Sequence, residues 1–200
     1  MNLKKVLVIN ILCGLLHLPE SKAQVFSSLH IESGSAITAL PFVGAPQLFY
    51  TNYHPTITLG TGLIWKTTRK HAWEQSFNLG YIYHRFVQHS IPFYTETIYR
   101  LETGKKFSLG AHLGLGYLHS IPATDRFELS ADGEYEKITN LGRAQGMARL
   151  SFSGRYKINS TWHTTLTYGV LMQGPFVRSY VPLLPYNIIQ LGVHKSLIRA

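Results

Sequence analysis

The chain has 200 residues, a formal net charge of +9 and one cysteine; 45% of its residues are hydrophobic, 12% aromatic and only 14% charged. The length suits one domain. Sparse charge beside abundant aromatics fits a surface that faces lipid, and the basic excess then points to anionic headgroups or lipopolysaccharide as partners and away from nucleic acid.

The first segment reads as a secretory signal rather than a membrane anchor. Lys4 and Lys5 precede an apolar run over 6–18, and Ser21, Lys22 and Ala23 put small residues at the two positions a signal peptidase reads. The run is shorter than the roughly 18 residues of a spanning helix. A signal peptide is therefore expected over 1–23, with one domain over 24–200. Cys13 lies inside the run, preceded by Ile11 and Leu12 where a lipoprotein site has small residues. The exported chain then has no cysteine, which excludes disulfides, thiolate chemistry and a cysteine-based metal site. It also loses Lys4, Lys5, Lys22 and Glu20, so its net charge falls from +9 to +7. No later stretch is continuously hydrophobic enough for a spanning helix.

From residue 25 onward the dominant signal is alternation, the period of a strand with two unlike faces. The first strand, 25–36, sets Leu29 and Ile31 against Ser28, His30, Glu32 and Gly34. A loop over 39–54 follows, with two prolines and several aromatics. The second strand, 56–66, sets Ile57, Leu59, Thr61, Leu63 and Trp65 against Thr58, Gly60, Gly62, Ile64 and Lys66. After a basic turn over 67–71, the third strand, 73–86, has Trp73, Phe77, Leu79, Tyr81 and Tyr83 on one face and Glu74, Ser76, Asn78, Gly80 and His84 on the other. The fourth, 92–101, opposes Phe93, Thr95, Thr97, Tyr99 and Leu101 to Tyr94, Glu96, Ile98 and Arg100. The fifth, 107–119, is the clearest. There Phe107, Leu109, Ala111, Leu113, Leu115 and Tyr117 alternate with Ser108, Gly110, His112, Gly114 and Gly116, and Leu118 is the one exception.

An irregular stretch over 120–144 holds five acids. Asp132-Gly133, between FELS and YEKI, is a hairpin turn signal, read here as a hairpin projecting into water. The sixth strand, 146–157, points Ala148, Leu150, Phe152 and Tyr156 outward and Arg149, Ser151, Ser153 and Arg155 inward. The seventh, 162–172, sets Trp162, Leu166, Tyr168, Val170 and Met172 against His163, Thr165, Thr167 and Gly169. A proline-rich loop leads to the last, 187–198, with Ile189, Leu191 and Val193 opposite Gln190, Gly192 and His194.

Eight strands is an even number, and the connections alternate in length. Those after strands two, four and six are short; those after one, five and seven are long; only the third breaks the rule. This is the pattern of an all-β, eight-stranded antiparallel up-and-down transmembrane β-barrel. The aromatics agree: Trp65, Trp73, Tyr99, Phe107, Tyr156 and Trp162 fall beside short turns on the outward face, as a girdle at one membrane interface would.

At this point the chain resembles the small bacterial outer-membrane β-barrel proteins, of the OmpA-barrel and OmpX kind. The resemblance is architectural and covers most of 24–200, in segments such as SLGAHLGLGYL, TITLGTGLIW and IIQLGVHKSLI. It implies outer-membrane lipid and lipopolysaccharide as surroundings, barrel-insertion machinery as a partner, and a protein ligand at the loops. The closing segment resembles the assembly signal of such barrels: Gln190, Gly192 and Leu197 match, whereas Lys195 and the final Leu-Ile-Arg-Ala depart from it.

Inward charges are where chemistry would sit: Glu32, Glu74, Glu96, Arg100, His112, Arg149, Arg155, His163 and His194. An eight-stranded interior is about filled by side chains, and buried charges there have to pair, so structural ion pairs are the expected use. No catalytic group, cofactor or metal site is evident. The nine histidines past the signal show no ligand spacing, and no Gly-x-Ser-x-Gly elbow or P-loop occurs. The expected role is structural or surface interaction. The alternatives are an outer-membrane enzyme acting on lipid A or phospholipid, and a soluble exported barrel of lipocalin type that binds a small apolar ligand.

Overall fold

The structure, a computed structural model, describes residues 26–85, 87–130, 132–176 and 182–197. The signal expected over 1–23 lies outside them. Among the described residues there are ten strands: β1 (Ser28–Thr38), β2 (Pro55–Thr67), β3 (His71–His84), β4 (Gln88–Glu102), β5 (Phe107–Pro122), β6 (Arg126–Leu129), β7 (Tyr135–Ile138), β8 (Arg143–Lys157), β9 (Trp162–Gly174) and β10 (Leu184–Ser196). Eight close into a barrel in the order β1-β10-β9-β8-β5-β4-β3-β2, while β6 and β7 form a separate hairpin. Every pairing is antiparallel, and β1 meets β10 from Ser28↔Ser196 to Thr38↔Tyr186, so closure leaves no free edge. The fold is the all-β, eight-stranded antiparallel barrel read from the alternation.

The β6–β7 hairpin pairs Leu129 with Tyr135, and Gly133 turns it at φ 82°, the left-handed region that glycine enters without a Cβ penalty.

The inside and outside are inverted relative to a water-soluble barrel. Among the described residues 26 buried side chains are polar or charged and 12 are hydrophobic, while Leu113, Leu115 and Leu191 are each 63% exposed on the outer wall. Several of the polar groups that lie outside are closed on nearby protein groups. Thr61 Oγ1 donates to the Ser28 carbonyl at 2.8 Å, Thr164 Oγ1 to the Gly192 carbonyl at 3.1 Å, and the Gln75 amide bonds Thr95 and Thr97. Such closure is what an apolar solvent demands of every donor.

Beneath a hydrogen-bonded polar cap of Gln88, Gln145 and Gln173, the interior has three layers. At the long-loop end Ala36, Ile82, Leu118, Met147, Leu171, Tyr186 and Ile188 form an apolar plug, bordered below by Tyr94. Leu118, the exception in the fifth alternation, is inward and belongs to this plug. The middle layer holds most of the buried charge. At the short-turn end the lumen opens into a cavity of about 340 Å³.

Three local features differ from the sequence reading. β4 begins at Gln88, four residues before the expected start, and runs through Pro92. Proline has no N–H to give, so the β3–β4 ladder skips the pairs at Ile91 and Pro92, then resumes in the same register, Leu79↔Phe93 and Ile82↔Ser90. Gly80 makes room for the ring, because a Cβ there would lie 2.9 Å from Pro92 Cγ. In β2, Ile64 pairs with Glu74 but Lys66 with Trp73, so Trp65 is an extra residue in a bulge. Lys66, expected inward with Ile64, is thereby carried to the outer face beside Trp73. Finally, the loop between β1 and β2 packs against the outer wall. Asn187, 0% exposed, accepts from the Phe42 amide (3.2 Å) and the Tyr168 hydroxyl (2.7 Å) and donates to the Ala39 and Leu40 carbonyls (3.1 Å each).

Candidate functional site

The middle layer exists because glycines and large charged residues alternate across strand pairs. Gly110 pairs with Arg100, Gly114 with both Glu96 and Arg149, and Gly192 with Glu32. A Cβ on Gly114 would lie 2.8 Å from Glu96 Cγ, and one on Gly192 would lie 2.6 Å from Glu32 Cγ. Each glycine vacates the volume that its charged neighbour fills.

All nine charged or histidine side chains singled out in the sequence lie on the inner face, at different heights. Nearest the plug, Arg149 Nε lies 3.5 Å from Glu96 Oε1, with its other nitrogens donating to Tyr94 Oη and to Gln190 Oε1 (2.9 Å). Glu32 receives His194 Nε2 at 3.2 Å, and the His194 ring stacks on His30 with centroids 4.7 Å apart. Lower down, Arg100 grips Glu74 with both teeth of its fork, Nε to Oε1 at 2.7 Å and Nη2 to Oε2 at 3.1 Å. Arg155 approaches the same carboxylate only to 3.6 Å. His163 lines the open cavity. Glu96 and Arg100, on one strand and one face, make no bond to each other; each finds its partner on another strand.

The interior is thus balanced overall but polarised along its axis. Glu32, Glu96 and Arg149 occupy the plug side, whereas Arg100 and Arg155 share the single carboxylate Glu74 on the open side.

One contact chain was missed in the sequence. His112 Nε2 lies 2.8 Å from Ser153 Oγ, and its Nδ1 lies 3.5 Å from Glu96 Oε2. This is the order of a serine nucleophile, a base and an orienting carboxylate. The residues sit on β8, β5 and β4, so only the barrel register could reveal them. All three are buried, and the nearby internal cavity is about 20 Å³ and is not lined by Ser153, too small to hold a substrate at that hydroxyl. By contrast the adjacent pair His119 and Ser120 diverges: Ser120 is buried, while His119 lies outside, bonded to Tyr117 Oη (2.9 Å) and the Leu141 carbonyl (2.8 Å). Among the described residues no cluster of three or more His, Cys, Asp or Glu side chains could hold a metal ion.

Comparison with solved structures agrees with this geometry. Neisserial surface protein A is similar over 86% of this chain and 96% of its own, with a TM-score of 0.51 at 11% identity. The outer-membrane enzyme PagL overlaps 84% of this chain and 98% of its own (TM-score 0.48, 11% identity), and Ail of Yersinia pestis 86% and 100% (TM-score 0.45, 10% identity). The chain has the architecture of a small outer-membrane barrel. No protein-family model matches it, and no curated protein does so at a significant level. The resemblance is therefore one of fold.

On such a barrel the outer rims are as informative as the lumen. Trp65, Trp73, Tyr99, Phe107, Tyr156 and Trp162 all stand on the outer face near the short turns, with Phe107 opposite Tyr156 and Trp73 tilted on Tyr99 at 5.1 Å. Lys195 Nζ lies 5.7 Å from the Trp162 ring centroid. Three outward tyrosines carry a histidine on their hydroxyl: Tyr99 with His71 (2.7 Å) at this rim, and Tyr81 with His89 (2.6 Å) and Tyr117 with His119 (2.9 Å) at the other. Each pairing satisfies a tyrosine hydroxyl and a histidine ring nitrogen on the outer face.

Proposed function

We propose that this chain is an outer-membrane barrel of a diderm bacterium, exported by removal of residues 1–23. Its plugged body acts as a scaffold, and its long loops carry surface interactions. The observation that carries this reading is the inversion of the wall: leucines exposed outside, charges and amides buried inside. A barrel in water would leave that apolar surface uncovered at great cost, whereas lipid covers it. The six aromatics near the short turns serve as an interfacial girdle, with outer-membrane lipid and lipopolysaccharide around the wall. Barrel-insertion machinery places the chain, and the acidic β6–β7 hairpin and the aromatic first loop face a protein ligand. Of the nine inner charged and histidine residues, Glu32 with His194, Glu74 with Arg100, and Glu96 with Arg149 and His112 hold the strands in register, while Arg155 and His163 line the open end.

Cell fractionation tests the placement. Recovery in the outer membrane, released only by detergent, is expected; recovery as a soluble periplasmic protein would contradict it and favour the lipocalin-type alternative. The plug of Leu118, Leu171 and Tyr186 further predicts no stable conductance in planar bilayers.

A second reading, an acyl hydrolase acting on lipid A or phospholipid, is favoured by the Ser153–His112–Glu96 chain alone. A fluorophosphonate that labels the folded protein, but not its Ser153→Ala variant, would establish it. No labelling would leave the chain as a structural hydrogen-bond network.

A further inference from the structure

The open cavity at the short-turn end has more positive charge than the fold uses. Five cationic side chains line it, Arg100, Arg155, Lys105, Lys106 and Lys157, against the carboxylates of Glu74 and Glu102. Arg100, 2% exposed, spends Nε and Nη2 on Glu74 and leaves Nη1 buried without a protein partner. Arg155 has its Nε buried in the same condition and stands 3.6 Å from Glu74, beyond hydrogen-bond reach. Arg149, on the plug side, also has its Nε buried without a hydrogen bond, but Glu96 stands 3.5 Å from that nitrogen and its other nitrogens bond to Tyr94 and Gln190. A buried guanidinium nitrogen without a hydrogen bond costs free energy, and at the open end of the lumen an anion from outside can reach those of Arg100 and Arg155.

We propose that this mouth is a binding site for a small phosphate-bearing molecule. Guanidinium N–H groups match the oxygens of a phosphate, and Arg100, through Nη1, and Arg155 offer them from β4 and β8, the strands on either side of β5, to one cavity. Lys105 and Lys106, on the β4–β5 turn, and Lys157, at the end of β8, add a positive rim that draws an anion inward. Ser108, Ser160 and Thr67 supply hydroxyls around the entrance. The volume, about 340 Å³, falls at the small end of the ligand pockets of about 300–1,000 Å³ found in proteins. The phosphate is either that of a free solute or that of a lipid headgroup reaching around the rim. Binding to the purified barrel does not depend on which compartment the mouth faces, so this assignment stands or falls separately from the proposed location.

The test is calorimetric titration of the folded barrel in a nonionic detergent at low ionic strength, with inorganic phosphate and, separately, with short-chain dihexanoyl phosphatidylglycerol. Saturable binding of one molecule per barrel is expected. Arg155→Gln is expected to weaken it about tenfold, the scale of one charge-assisted hydrogen bond. The Lys105→Gln/Lys106→Gln double variant, on an exposed turn that the fold does not depend on, is expected to weaken it too, and decides the matter if Arg155→Gln fails to fold. Arg69→Gln removes the same charge from the neighbouring turn outside the cavity and is expected to leave binding unchanged. Binding of phosphate assigns a free solute; binding of the lipid probe alone assigns the headgroup. No saturable binding of either probe, or an equal loss in Arg69→Gln, would overturn the proposal.

Discussion

Leu113→Arg places a charge on the outer wall at a depth that the structure specifies. Phe107 and Tyr117, at the two aromatic rims of β5, are ten residues apart. At about 3.3 Å per residue and a tilt of about 40°, that is a rise of about 25 Å, the height of the apolar band of an outer-membrane barrel. Leu113 stands six residues above Phe107, about 15 Å by the same geometry and so within about 3 Å of the middle of the band. It is 63% exposed on the outer wall, so nothing but the surroundings can solvate the new guanidinium. The cost at the midplane is about 2–4 kcal/mol, falling to about 0–1 kcal/mol near the interfaces. Leu113→Arg is therefore expected to lose most of that stability, Leu115→Arg less, and Tyr117→Arg least. Reversible urea unfolding in lipid vesicles, followed by tryptophan fluorescence, measures the series. Equal costs at all three positions would refute the argument, because an aqueous wall has no depth.

Other expectations follow from the interior. Glu74→Gln leaves the guanidiniums of Arg100 and Arg155 without their shared carboxylate and is expected to cost about 3 kcal/mol by urea unfolding, with Glu74→Gln/Arg155→Met recovering part of it. Gly114→Ala puts a Cβ 2.8 Å from Glu96 Cγ and is expected to cost about 1–3 kcal/mol. Gly104→Ala meets nothing within 4 Å and serves as the neutral comparison in the same assay. His54, in the first long loop, stacks on His84 with ring centroids 3.8 Å apart and both its ring nitrogens buried without a partner. Burial lowers its pKa below the ordinary 6.5, so the unfolded chain takes up a proton there before the folded one does. Stability present above pH 6.5 is therefore lost as pH falls below it, and the urea midpoint should drop more steeply in the wild type than in His54→Gln. Parallel slopes would show that His54 contributes nothing.

How much of this was readable from residue order depends on the distance over which each feature is encoded. Alternation is local, so the strands and the face each residue takes follow from parity alone; β5 is readable from Phe107–Tyr117 without any partner. Loop lengths are also local and carry the up-and-down topology. The bulge at Trp65 is a different case: one inserted residue, with no glycine to mark it, reverses the face of Lys66. The plug is dispersed, contributed one or two residues at a time by Ala36, Ile82, Leu118, Met147, Leu171, Tyr186 and Ile188, each of which looks like an isolated lapse in its own strand. Ion-pair partners need the register between strands as well as parity. Glu74 meets Arg100 across 26 positions, and Glu96 meets Arg149 on a strand that is not its neighbour. The chain Ser153–His112–Glu96 needs three strands at once. The packing of the first loop on the outer wall rests on Asn187, which parity alone would assign to lipid.

The central claim is that the wall spans a membrane with the long loops on the outer side. The only cysteine in the sequence is Cys13, inside the segment expected to be removed, so single-cysteine labelling is clean. Intact cells expressing Val43→Cys, Leu113→Cys or Gly104→Cys would be treated with a membrane-impermeant maleimide. Val43 is 82% exposed in the first long loop, Leu113 lies at mid-wall, and Gly104 lies on the short turn between β4 and β5. The account predicts labelling of Val43→Cys alone in intact cells, of Gly104→Cys only after the envelope is opened, and of Leu113→Cys only after the protein is unfolded. Labelling of Leu113→Cys in the native protein, or of Gly104→Cys in intact cells, would contradict it.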